Sequence, residues 1–292
     1  TLLLDSLLWI GPRYRLYSLF KGIITQPVAF SSVEAPEFFQ GFQEILQSFN
    51  FLSLIRTFPV GVPSLMVSRN PIASPFGEPP SYEINSLGSA ILFWFVINLL
   101  GIDAGTFYFS LVAQVVTGGK VAWRSLFRYF PRTLVQVIFL TLSWVVLLFI
   151  IGFPFSCIIS FVLLSGIGLE QVVLLMAVIG GGFLIWLLMP LVFSPHGIIL
   201  NQLKVWSSIK NSFRVARMTL PATSLLILTT VLISEGMSIL WQMPSDTSWM
   251  TLIGILGHAF ITTSLLASTF IYFRDANQWV ITMLEKTKLS LA

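Results

Sequence analysis

Of the 292 residues, 55% are hydrophobic and only 10% charged, against roughly a quarter charged in an ordinary soluble domain. This excludes a soluble globular protein and marks an integral membrane protein, read as one membrane domain. The single cysteine, Cys157, excludes an internal disulfide framework and a multi-cysteine metal site, and its apolar setting predicts a small buried side chain.

In chain order, residues 1–35 form an N-terminal interfacial segment. Position 1 is not Met, so a chain that is trimmed, processed or begun at an internal point is expected. Leu2–Ile10 is apolar but short, contains Asp5 and is followed, not preceded, by basic residues, unlike a secretory signal. One or two interfacial helices are expected over Leu2–Ile24, parted at Gly11-Pro12, with Arg13, Arg15 and Lys21 at the headgroups. Residues 36–275 follow as a six-span membrane domain, and 276–292 as a cytoplasmic amphipathic tail.

The domain begins at Glu34-Ala35-Pro36 with an amphipathic helix. Phe38, Phe39, Phe42, Ile45, Leu46 and Phe49 share its broad apolar face, with Gln40, Gln43, Glu44 and Gln47 elsewhere. It leads into a first span over Phe49–Val67, interrupted by Arg56, Pro59 and Pro63. Ser68–Ser86, rich in Pro, Ser and Gly, reads as an external loop. The second span covers Leu87–Val116 and carries Asp103 and the pair Gly101 and Gly105, whose spacing lets helices approach closely.

Next, Lys120–Leu148 joins a basic amphipathic helix to a span. Trp123, Phe127 and Phe130 make its apolar face, and Lys120, Arg124 and Arg128 a stripe at i, i+4 and i+8. The third span starts at Pro131 and runs into the 160s, with a kink expected near Gly152 and Pro154. The fourth covers Leu169–Phe193, where Gly180-Gly181-Gly182 suggests close packing or a bend. The same basic unit then returns at Lys204–Trp241: Trp206, Ile209 and Phe213 on one face, Lys210, Arg214 and Arg217 on another, then the fifth span from Thr219. Trp123 and Trp206 lie 83 residues apart, Ser125 and Ser208 keep that offset, and Phe39 lies another 84 upstream. The expected architecture is therefore all-α and polytopic, with about six transmembrane helices. Cytoplasmic amphipathic helices precede spans 1, 3 and 5 as parallel internal repeats. The sixth span covers Trp249–Phe273.

The positive-inside rule orients this arrangement. Arg13, Arg15 and Lys21 precede span one, Lys120, Arg124, Arg128 and Arg132 precede span three, and Lys204, Lys210, Arg214 and Arg217 precede span five. With Arg274, Lys286 and Lys288 in the tail, fourteen of the sixteen basic residues fall on one side. Both termini are then expected in the cytoplasm.

The stretches AWRSLFRYFPRTLVQVIFLTL, LLMPLVFSPHGIIL and WSSIKNSFRVARMTLPATSLLILTTVL carry a resemblance. Over residues 37–275 the chain resembles the YciC-type uncharacterised bacterial inner-membrane proteins. It also resembles the membrane domain that precedes the catalytic domain in some glycerophosphodiester phosphodiesterases. The resemblance implies a bacterial inner-membrane location and an architecture without a transferable activity, since these 292 residues contain no phosphodiesterase domain.

No motif for chemistry stands out. His196 and His258 are far apart, outside any metal-ligand spacing, and no nucleophile elbow, P-loop or dinucleotide fingerprint is present. No cofactor and no catalytic residue is expected. The ionisable groups within spans are the best leads, because a charge at that depth costs at least ~2.5 kcal/mol unless paired or hydrated. Glu235 and His258 flank Asp246 almost symmetrically and are expected level in the last hairpin; Arg56 and Asp103 are expected level in spans one and two. These pairs either fix helix register or serve a proton- or ion-linked path. The basic helices are expected to contact anionic headgroups or a membrane-protein partner, not nucleic acid, and no soluble substrate is implied. Two readings follow: a non-catalytic scaffold, assembly factor or accessory subunit of a membrane complex, or a small-solute or ion permease using the midspan charges.

Overall fold

A computed structural model describes residues 1–24, 44–165 and 169–290. The elements in chain order are α1 (Leu2–Ile10), β1 (Arg13–Arg15), α2 (Tyr17–Ile24), α3 (Leu65–Arg69), β2 (Ser81–Glu83) and α4 (Leu87–Gly118). They continue as α5 (Trp123–Ser165), α6 (Leu169–Leu188), α7 (Ser194–Asn201), α8 (Val205–Met218), α9 (Leu220–Trp241) and α10 (Met250–Ser290). The fold is all-α and polytopic. Among the described residues five helices are long and apolar enough to cross a membrane: α4, α5, the run Val178–Asn201, α9 and α10. Two compact units share them, Thr1–Tyr108 with Thr229–Leu265, and Phe109–Leu228 with Leu266–Ala292.

In the first unit, the expected span Phe49–Val67 is not a helix that crosses. Phe51–Ile55 makes a short 3-10 helix started by the Asn50 side chain, which accepts from Leu52 N. The chain then runs without helix to α3. Pro59 and Pro63, four residues apart, lack the N–H a helix needs and disfavour helical backbone at their predecessors, which with the Asn50 cap favours irregular chain here. This irregular chain lies on α4 at two glycines. A Cβ at Gly101 would sit 2.2 Å from the Ile55 carbonyl oxygen, and one at Gly105 2.8 Å from Gly61 Cα. The close approach foreseen at Gly101 and Gly105 therefore serves a loop and not another helix. Such backbone is tolerated at membrane depth only where protein covers it, and Val60 and Val62 are buried.

Within the N-terminal segment, Leu8 and Trp9 of α1 belong to this unit's core. Leu8, Trp9, Leu65, Met66 and Ile255 bury one another, with Trp241 packed against them, each side chain contributing about 1.5–3 kcal/mol. Trp9 Nε1 donates to the Asp246 carbonyl at 2.8 Å, and Trp9 and Trp249 meet edge to face at 6.1 Å. Arg69 binds the same turn, pairing with the Asp246 carboxylate at 2.5 Å and donating to the Pro244 carbonyl. Residues 1–15 thus share a face with the α9–α10 turn. The positive-inside count had placed them on opposite faces, and this contact overturns that. A short parallel ladder, Arg13 to Ser81 and Arg15 to Glu83, ties β1 to β2. The α9–α10 hairpin closes tightly because Gly254 and Gly257 leave room for Trp241.

In the second unit, the surface helix and third span expected as two pieces are one 43-residue helix, α5, continuous through Pro131 and Pro154. The second copy does break, at Thr219 between α8 and α9. Core residues Phe193, Val215, Phe273, Ala276 and Val280 pack α8 against α10, so the tail expected from 276 is a continuation of α10. At 41 residues, α10 is about 60 Å long, twice a hydrocarbon core. Of the three successive glycines, only Gly180 is closely approached, by Phe155. Cys157 is exposed and not buried. Of the expected helix from Glu34, Phe38, Phe39, Gln40, Phe42 and Gln43 lie outside the described residues, and its continuation at 44–48 is helical.

Candidate functional site

The four midspan residues all belong to the first unit, yet no hydrogen bond or ion pair joins them in the expected pairs. Glu235 is exposed on α9, where the neighbouring Gly236 faces open space. His258 is buried on α10, with Nδ1 lacking a hydrogen-bond partner. The hairpin register explains the mismatch. Trp241 packs on Gly254 and Gly257, which shifts His258 about one helical turn from Glu235 toward the Trp241 end. His258 instead lies within electrostatic reach of Arg56. Arg56 ends the 3-10 helix, beside the Gly101 contact, and is exposed; Asp103 is exposed on α4. Farther along the same two helices, Tyr108 and Thr263 share a hydrogen bond of 2.8 Å between α4 and α10. That polar link was missed, because neither residue is charged.

The basic helices belong to the second unit. On α8 the core-facing side is small and polar, not aromatic. Ser208 donates to the Ser194 carbonyl at 2.6 Å, Ser212 donates to the Pro190 carbonyl at 2.7 Å, and Phe193 N donates to Ser212 Oγ. The absent side chain of Gly197 makes room for Ser208. Trp206 and Phe213 are consequently exposed, as are Lys204, Lys210, Arg214 and Arg217. On the α5 side, Trp123, Phe127, Lys120, Arg124, Arg128 and Arg132 are exposed as well. Aromatic and basic residues together on the outer surface suit a headgroup layer, where rings and stems settle and charges meet phosphate. A groove of about 450 Å³ runs between Leu191, Ile209, Phe213 and Met218, rimmed by Lys210, Arg214 and Arg217.

His196 is buried, with Nδ1 lacking a hydrogen-bond partner. Its Nε2 meets Thr269 Oγ1 at 2.9 Å and its ring lies among Phe193, Phe270 and Phe273. Among the described residues no cluster of three His, Cys, Asp or Glu could hold a metal. Compared with family models, curated proteins and solved structures, the chain matches none.

Proposed function

We propose that this chain is a non-catalytic membrane protein that scaffolds, helps assemble or accompanies a larger membrane complex. The observation that carries this reading is the exposure of Asp103, midway along α4, and of Glu235, six residues before the end of α9, each without an ion pair among the described residues. A lone carboxylate facing lipid is costly, and a polar or basic residue on a neighbouring protein's span relieves it. The bareness of α9 supports the same reading, since Thr223 is its one buried residue. An apolar span so little covered by its own chain offers a face for another helix.

The resemblance to YciC-type proteins supports a bacterial inner membrane as the location. Lys120, Arg124, Arg128, Arg132, Lys204, Lys210, Arg214, Arg217, Arg274, Lys286 and Lys288 favour a cytoplasmic position for the basic helices and the end of α10. Five spans then put residues 1–15 on the opposite side. The alternative is a small-solute or ion permease that would use the midspan charges Glu235, His258, Arg56 and Asp103.

Purification from the native membrane in mild detergent tests the proposal. A stoichiometric membrane partner is expected, with recovery reduced at least several-fold by Asp103→Asn or Glu235→Gln while the chain itself stays folded. A protein that travels alone, and whose reconstituted ion flux is abolished by His258→Ala, would establish the permease instead.

A further inference from the structure

Beyond the scaffold reading, β1 carries an unexplained pair of cations. Arg13 and Arg15 sit two residues apart, on one side of a strand, while Tyr14 between them stacks on Tyr82 and Phe93 on the other. Arg13 is 1% exposed. One of its nitrogens, Nη2, donates to the Ser48 carbonyl, but Nε and Nη1 are buried without partners, and so is Nε of Arg15. The residue across the ladder from Arg15 is Glu83, whose carboxylate is taken by Ser18 N at 3.1 Å. Among the described residues neither arginine has an ion pair. Burial and then the neighbouring Arg15 charge pull the Arg13 guanidinium below its usual range, with Glu78 opposing them.

A buried guanidinium with unused donors calls for further acceptors, and an anion supplies both the acceptors and the countercharge. The two arginines line a cavity of about 760 Å³ together with Ser48, Gln47, Glu44, Ile45 and Ile72. One exposed carboxylate, Glu44, leaves the lining net positive. Ile45 and Ile72 are exposed, so the cavity is charged at its base and apolar at its rim. We propose that this cavity is an anion site that takes a phosphoryl group, presented either by a lipid headgroup or by a small phosphate compound. Two guanidinium groups, each with several donors, suit phosphoryl oxygens better than a point charge does.

The full-length chain in an uncharged detergent is titrated with inorganic phosphate, and separately with phosphatidylglycerol in mixed micelles, while its thermal unfolding midpoint is followed. A saturable rise is expected with at least one of them. Phosphate sufficing would make the ligand a free phosphoryl compound; a response to phosphatidylglycerol alone would make it a headgroup. Arg15→Gln and Arg13→Gln should each weaken the response at least tenfold, and Arg15→Lys should restore only part of it. If Arg13→Gln fails to fold, Arg15→Gln decides. No rise with either probe, or an equal rise in wild type and Arg15→Gln, would overturn the site.

Discussion

Asp5 is held by two donors and denied water. Its Oδ1 accepts from Ser64 Oγ at 2.6 Å and from Met66 N at 2.9 Å, while Oδ2 is buried without a partner. Desolvation raises its pKa above the ordinary 3.8, outweighing the bonds from Met66 and Ser64 that favour the charged form. The folded state therefore binds the proton more tightly than the unfolded chain. The resulting stabilisation is complete below the ordinary value of 3.8 and is lost as pH rises through the raised folded value. Hydrogen exchange at the Met66 amide should accordingly slow as pH is lowered through that window, once corrected for intrinsic rates. Asp5→Asn should flatten the dependence; an unchanged slope would mean that Asp5 does not hold α1. The same residue scale explains why charge placement misled. The positive-inside rule counts basic residues as though each were free in water, but Arg13 is buried and Arg69 is committed to Asp246. Nothing in the one-dimensional pattern separates such residues from the free lysines and arginines of α5 and α8. The expected pair Glu235 and His258 failed for a related reason: symmetry about Asp246 assumes a hairpin centred there, whereas Gly254 and Gly257 set the register by admitting Trp241.

At the scale of elements, hydrophobic runs placed the starts of α4, α9 and α10 within one residue, whereas α5 begins earlier than its expected span and the fourth apolar run is Val178–Asn201 instead of Leu169–Phe193. The region before Leu87 was read less well. Its mean apolarity suits a span, but two prolines and a polar Asn50 cap convert it into a short 3-10 helix and a loop. Glycine takes the loop's place in the packing. Gly101→Ala should cost about 1–3 kcal/mol by overpacking, visible as a lower unfolding midpoint and faster proteolysis near Ile55. Gly88→Ala, in open space on the same helix, should leave both unchanged. On α8, helical periodicity gave the amphipathic faces correctly but not which face is inside. The faces it singled out were the aromatic and the basic ones, and both are exposed, while the small Ser208 and Ser212, on neither, pack inward. Ser208→Ala removes a bond to the Ser194 carbonyl and should cost about 1 kcal/mol, seen as a lower unfolding midpoint, whereas Trp206→Ala, at an exposed position, should leave that midpoint unchanged.

For the whole molecule, the five spans make sidedness testable. With Cys157 replaced by Ala, a cysteine placed at Ser81 should react with a membrane-impermeant maleimide only from the face opposite the basic helices. One at Ser207 should react only after the bilayer is opened. Equal reactivity at both sites in sealed vesicles would rule out the proposed orientation. The partner reading belongs to this scale too, because it rests on whole helices left bare and not on any single bond.

Trp9 and Asp246 are bonded in space but separated by 237 positions in the chain. At roughly 5–20 residues per second of synthesis, Trp9 is made on the order of 10–50 s before its acceptor exists. Through that interval α1 also lacks Ile255, and Arg69 lacks its carboxylate. The first unit is therefore a late event in biogenesis, closed by the last hairpin to be translated. A ribosome-bound nascent chain halted before Pro244 would display the α1 surface to whatever insertion factor stands nearby, and completion of the hairpin is the moment at which that surface is withdrawn.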